Sequence, residues 1–228
     1  MTADAPVHLV AGAAGNLGRR TLEVLARRGA TVVGADRGAA PEGLDVALWL
    51  PDADFFDPAS CDALVASVID RFGRLDGVAH VVGGFATASA ADGAPDLWEQ
   101  MFRLNALTTL NMFRAALPPM RATRRGSLVG VGAGAALLAP ANFGPYAASK
   151  AAILRLVEAF AAELKADGVR VNAVLPGTMD TPQNREAMPG VDPVRWVRPE
   201  EVAETIAFLL DPAASGVTGA AIPVPGRT

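Results

Sequence analysis

The stretch PVHLVAGAAGNLGRR (residues 6–20) passes from a short apolar run directly into glycines at Gly12, Gly15 and Gly18, and then into a charged, helix-like pattern. A short apolar run predicts a buried strand. Glycines between a strand and a helix let the backbone turn tightly and approach a phosphate, while the helix N-terminus offers unpaired N–H groups and a partial positive charge. A glycine triplet is a weak signal by itself in a chain with 23 glycines. Its meaning depends on what surrounds it.

Outward from that turn, apolar runs alternate with helix-like segments: ATVVGAD (30–36), ADFFD (53–57), LDGVAHVVGG (75–84), GSLVGVGAG (126–134), GVRVNAVLPG (168–177) and AAIPVPG (220–226). Between them lie amphipathic or apolar patterns of helical length, among them long ones over 97–120 and 146–167. Gly29 and Gly168 follow two helices, and Pro199 opens another with Glu200 and Glu201 in its first turn. Apolar strands alternating with helices predict an α/β fold, a single doubly wound Rossmann domain over 1–228 with a parallel sheet covered on both faces.

The second strand pattern ends in Asp36, about 20 residues past the glycine turn, where a dinucleotide fold places its ribose-binding carboxylate. A carboxylate there accepts from both ribose hydroxyls and repels a 2′-phosphate, favouring NAD. Arg37 beside it could hold that phosphate, so NADP stays open.

FGPYAASKAA (143–152) carries the single tyrosine of the chain, Tyr146, and one of its two lysines, Lys150. Positions i and i+4 share a helix face. An ammonium beside a phenol stabilises the phenolate and lowers the tyrosine pKa from about 10, which makes tyrosine a usable acid or base. An amphipathic helix with a buried tyrosine and a snorkelling lysine is the alternative, and the preceding nucleotide turn weighs against it.

At this point the chain resembles the short-chain dehydrogenase/reductase family over nearly its full length. The resemblance is carried by the glycine turn, the acid after the second strand, DFFDPAS (54–60), HVVGG (80–84), Asn105, YAASK (146–150), NAVLPGTMDT (172–181) and VTGAAIPVPG (217–226). It implies that Gly12, Gly15, Asn16, Leu17 and Gly18 frame a pyrophosphate, that Asp54 and Phe55 hold the adenine, and that Gly83 and Gly84 pack beside the ribose. It further implies Tyr146 as acid/base, Lys150 on the nicotinamide ribose, and Asn105 anchoring a water of the proton relay. Pro176, Gly177, Met179 and Thr181 would lie along the carboxamide. The implied protein is an NAD(P)-dependent oxidoreductase of a small carbonyl, alcohol or quinonoid substrate, and a homo-oligomer, dimer or tetramer, pairing its long helices.

Several positions depart from the family pattern. Asn16 occupies a usual glycine position, His80 and Val81 replace the asparagines closing the fourth strand, and Pro225 stands where aspartate is usual. Thirteen residues before the tyrosine, where most members carry a serine that bonds the substrate oxygen, stands Ala133. With VVGGFA this resembles the dihydropteridine reductase branch, which also lacks that serine and uses NADH. Ser127, Thr87, Asn142 or a water are candidates to replace the hydroxyl. The alternative function is a dinucleotide-binding regulatory or structural protein that has lost catalysis; an epimerase on the same fold is a third.

Residues 178–198 read as a substrate-covering loop, with Phe85, Phe143 and Trp196 as candidate pocket walls. A net charge of -4 argues against nucleic-acid and anionic-membrane surfaces. One cysteine, Cys61, and two histidines, His8 and His80, leave no ligand set for a metal cluster. Residues 126–149 carry no charge, but their glycines and prolines oppose a lipid helix. With no signal-peptide pattern at residues 1–15, the expected location is cytoplasmic.

Overall fold

The computed structural model describes residues 5–227. Seven strands form one parallel sheet: β1 (Val7–Ala11), β2 (Thr31–Ala35), β3 (Leu48–Leu50), β4 (Gly77–His80), β5 (Gly126–Val131), β6 (Val169–Pro176) and β7 (Ala221–Val224), in the order β3-β2-β1-β4-β5-β6-β7. Chain order reverses between β1 and β4, and open parallel sheets bind ligands at the carboxyl ends of the strands beside such a reversal.

Alternation along the strands splits the core in two. Val7, Leu9 and Ala11 of β1 join α2 (Pro58–Phe72), α4 (Thr108–Thr123) and α5 (Gly144–Glu163) on one face. Val10 joins α1 (Asn16–Arg27) and α7 (Pro199–Leu210) on the other. Leu9 and Val10 are both fully buried, each contributing about 1.5–3 kcal/mol relative to exposure. With both faces covered, the strands need no polar side, which is why they read as unbroken apolar runs.

The boundaries differ from the sequence reading in three places. The third strand is Leu48–Leu50, and 53–57 is a turn in which Asp57 caps α2 by accepting from Ala59 N–H. The helix expected over 97–120 is α3 (Pro95–Phe102), a wide π turn at Arg103–Leu107, and α4. Within 178–198 the chain forms α6 (Pro182–Ala187) and a 3-10 turn at Pro193–Arg195, so this segment has structure of its own. The uncharged stretch 126–149 is β5, a short 3-10 turn, a loop and the start of α5; no described helix is long and apolar enough to cross a membrane.

Candidate active site

The glycine turn closes on the end of β2. Gly12 and Ala13 N–H groups donate to Ala35 O at 2.9 and 3.1 Å. Gly12 has φ +84, and a β-carbon on it would stand 3.0 Å from Val82 N. On Gly18 one would overlap the Gly12 carbonyl oxygen, so α1 packs directly on the turn that feeds it. Gly15 caps α1 without a side chain and lies open. The first N–H groups of the helix therefore face a groove that can receive an anion.

Asp36 lies just beyond β2 and holds the turn: Oδ2 accepts from Ala14 N–H at 2.9 Å and Oδ1 from Arg37 N–H at 2.7 Å. The Arg37 side chain is exposed. Asp54 is exposed and accepts from Phe56 N–H, whereas the Phe55 ring is buried edge-on to His80 at 5.6 Å. These residues and Gly83 line a cavity of about 880 Å³. A glycine cradle, a free helix end and a carboxylate at the strand end fit the pyrophosphate and ribose of a nicotinamide dinucleotide. Sequence reasoning missed the far wall of this cavity, Phe56, Glu99, Gln100 and Arg103. Arg103 comes from the π turn, which no sequence pattern announced.

Four other expected cofactor residues sit at the opposite rim. β6 ends at Pro176, and Gly177 N–H donates to Val224 O at 3.1 Å. Met179 pairs with Val197 and accepts from Asn184 Nδ2 through its carbonyl, while Thr181 caps α6 by accepting from Asn184 N–H. Asn16 reaches across to this rim, its Nδ2 donating to Gln183 Oε1 at 2.7 Å; Leu17 is buried. Trp196 is also buried, at 4% exposure, and its expected place on a pocket wall finds no contact with the aromatic residues around Tyr146.

Tyr146 and Lys150 lie one turn apart on α5, with the amine 6.0 Å from the phenol ring centroid. Lys150 is buried and donates to Val131 O at 2.8 Å. Burial lowers its pKa to about 8. The expected lowering of the tyrosine pKa is not found in the protein alone: burial pushes Tyr146 up to about 12, and desolvation outweighs a lysine that is turned toward a carbonyl.

Asn105 projects from the π turn and is fully buried. Its Oδ1 accepts from Gly84 N–H at 2.9 Å, and Nδ2 donates to Gly84 O at 3.1 Å and Ser149 Oγ at 2.9 Å. Ser149 Oγ donates in turn to Tyr146 O at 2.7 Å. With its amide so occupied, the side chain acts as a clamp between the β4 end and α5; the expected water would have to use the backbone carbonyl, which already accepts from Thr109 Oγ1.

The lost asparagines at the end of β4 have a replacement. His80 is fully buried, with Nε2 3.1 Å from Thr108 Oγ1. Thr108 donates to Leu104 O, so His80 Nε2 carries the proton and Nδ1 is left without a partner. Burial, then the charge of Lys150, lower the His80 pKa to about 3, and it stays neutral. Ala133 lies two residues past the Val131 carbonyl that holds Lys150, buried at 6% exposure. Of the candidates for its missing hydroxyl, Ser127 is at the other end of β5, donating to Leu209 O, and is excluded.

The family model described as enoyl-(acyl carrier protein) reductase matches residues 12–226. The chain is 36% identical over 239 residues to cis-4-hydroxycyclohexanecarboxylate dehydrogenase of Sinomonas cyclohexanicum, covering 96% of this chain and 95% of that protein. It is 30% identical over 244 residues to a 3-oxoacyl-[acyl-carrier-protein] reductase of Thermotoga maritima, covering 99% and 98%. Among solved structures, NAD+-bound xylitol dehydrogenase superposes with a TM-score of 0.89 at 25% identity, covering 99% of this chain and all of that one. A glycine cradle before α1, a Tyr–Lys pair on α5 and full-length likeness to these enzymes agree: the chain belongs to the short-chain dehydrogenase/reductase family of NAD(P)-dependent oxidoreductases.

Proposed function

We propose that the protein interconverts a small carbonyl compound and its alcohol, with Tyr146 as the proton donor or acceptor and NADH preferred over NADPH. Gly12, Gly15, Asn16, Leu17 and Gly18 would hold the pyrophosphate, Asp36 the adenosine ribose, and Asp54 and Phe55 the adenine. Gly83, Gly84 and Lys150 would hold the nicotinamide ribose, and Pro176, Gly177, Met179 and Thr181 the carboxamide. When bound, the nicotinamide supplies or accepts the hydride, so that ketone, NAD(P)H and a proton balance alcohol and NAD(P)+. Tyr146 gives its phenolic proton to the carbonyl oxygen as charge develops there. A phenol pushed to about 12 is protonated at neutral pH and suited to that donation. Lys150 then stabilises the phenolate until solvent returns the proton. Preference for NADH rests on Asp36, whose carboxylate is locked against the turn where a 2′-phosphate would lie.

Ala133 offers no donor to the substrate oxygen. Such a donor is worth about a hundred- to a thousandfold in rate, so the site suits an acceptor that needs little polarisation. Quinonoid and iminium-like centres are of that kind, in line with the local resemblance to dihydropteridine reductase. Residues 178–198 would cover the substrate, with α6 tied to α1 through Gln183 and Asn16. Exposed Ala148, Ala159 and Ala162 on α5 support helix pairing in a homo-oligomer. Catalysis lost altogether is not favoured, since the relatives are dehydrogenases and reductases.

The observation that carries this reading is the half-buried Tyr146 beside a buried Lys150 at the end of the nucleotide groove. The test is NADH oxidation with ketones, diketones, quinones and quinonoid dihydropterin. Turnover that collapses at least a hundredfold in Tyr146→Phe is expected; equal background in both proteins would sink the reading.

A further inference from the structure

Phe85 lies in the segment that follows the clamped Gly84 peptide. Its ring centroid is 4.9 Å from that of Tyr146 and 5.2 Å from that of Phe143, with interplanar angles of 79° and 63°. Yet Phe85 is 60% exposed, more than any other phenylalanine among the described residues. Large apolar rings seldom stay open to water beside a proton donor unless something else covers them.

Its position is well fixed. On one side Asn105 holds both the N–H and the carbonyl of Gly84, and Leu104 packs where a Gly84 β-carbon would lie. On the other side Ala88 N–H donates to Asn142 O at 2.8 Å, and Ala88 pairs with Phe143. Three residues between two anchors leave little freedom. The three rings therefore make a preformed corner, in which neither Phe85 nor Phe143 carries a hydrogen-bonding group. Among the described residues, the ionisable side chain that meets this corner is Lys150, which is buried and turned to Val131 O.

We propose that Phe85 selects the substrate by packing its open face against a ring, and that the compound turned over is a neutral cyclic ketone or its alcohol. This rests on the oxidoreductase reading above. A rigid ring fills an edge-to-face corner without losing rotamer freedom, whereas an open chain of equal carbon count must be frozen to do so. Phe85 thereby acts at binding, upstream of the proton transfer by Tyr146.

Cyclohexanone and 2-hexanone, each with six carbons, separate the two ideas. Steady-state NADH oxidation is measured for wild type, Phe85→Ala, Phe85→Leu and Phe85→Tyr. The wild type is expected to favour the ring, with Phe85→Ala lowering kcat/KM for cyclohexanone about tenfold through KM, the size of an aromatic pair contact. The open-chain ketone should change less than twofold, Phe85→Leu should fall between, and Phe85→Tyr should keep the preference. NADH affinity and unfolding temperature should match wild type in all three variants. A ring-to-chain ratio that is the same in wild type and Phe85→Ala would overturn the proposal. Calorimetric binding of cyclohexanone in the presence of NAD+ reads the corner without turnover. Binding lost in Phe85→Ala with no turnover by wild type would support the corner while removing the redox reading; equal binding by both proteins would remove the corner.

Discussion

The Lys150 amine lies against the backbone of Gly83: a β-carbon there would stand 2.9 Å from Nζ and 2.8 Å from Asn105 Oδ1. One missing side chain thus lets a lysine from α5 and an asparagine from the π turn meet at the end of β4. Gly83→Ala should push the amine off Val131 O and lower kcat/KM by roughly ten- to a hundredfold, since misplacement by about 1 Å costs that much. Steady-state kinetics would check it; a variant with wild-type kcat/KM would mean that the amine has room to spare.

Lys150 should work against folding. Its folded pKa, about 8, lies below the ordinary 10.5, so the folded state binds this proton less tightly than the unfolded chain. The penalty is full below about pH 8 and fades as the pH rises toward 10.5. Lys150→Met is therefore expected to abolish turnover and yet raise the unfolding free energy at pH 6–7 by roughly 1–3 kcal/mol, after loss of the bond to Val131 O. Urea unfolding at pH 7 and pH 10 would show the gain shrinking with pH. A less stable variant at pH 7 would contradict this.

The same two groups set the pH dependence of rate. Carbonyl reduction needs the Tyr146 phenol, protonated up to about 12, and the Lys150 ammonium, lost as the pH passes about 8. Reduction should hold level near neutrality and decline above pH 8, whereas alcohol oxidation, which draws on the phenolate, should climb with pH. A kcat/KM profile in each direction tests this; a reduction limb near pH 6 would assign control to another group.

Asp36 couples cofactor choice to the shape of the turn, because its carboxylate accepts from Ala14 N–H. Asp36→Asn removes the charge that opposes a 2′-phosphate and leaves Arg37 in place. The NADPH-to-NADH ratio of kcat/KM should rise about tenfold or more, one charge contact being worth roughly 1–3 kcal/mol. An unchanged ratio would place the 2′-hydroxyl elsewhere.

Much of this was visible along the chain because it is local. The strand–glycine–helix passage and the four-residue spacing of Tyr146 and Lys150 need no knowledge of distant residues. What depends on distant residues was misread. Phe55 and Phe56 looked like a strand, while the true strand holds Trp49, whose indole lies over Gly34 of β2, where a β-carbon would stand 2.6 Å away. The tyrosine pKa was expected to fall on the strength of one neighbour, but its burial is set by several elements together. Asn105 looked like a water ligand until Gly84 and Ser149 were seen to use its amide.

The scarcity of lysine gives the molecule an unusual chemical handle. Of its two lysine side chains, Lys165 is exposed and Lys150 is enclosed, although an amine whose pKa is about 8 is partly in its nucleophilic form near neutrality. Acylating reagents should mark Lys165 at once and Lys150 only when α5 parts from the end of β4. The modification rate of that single residue then becomes a clock for opening of the site, readable by mass spectrometry without any substrate.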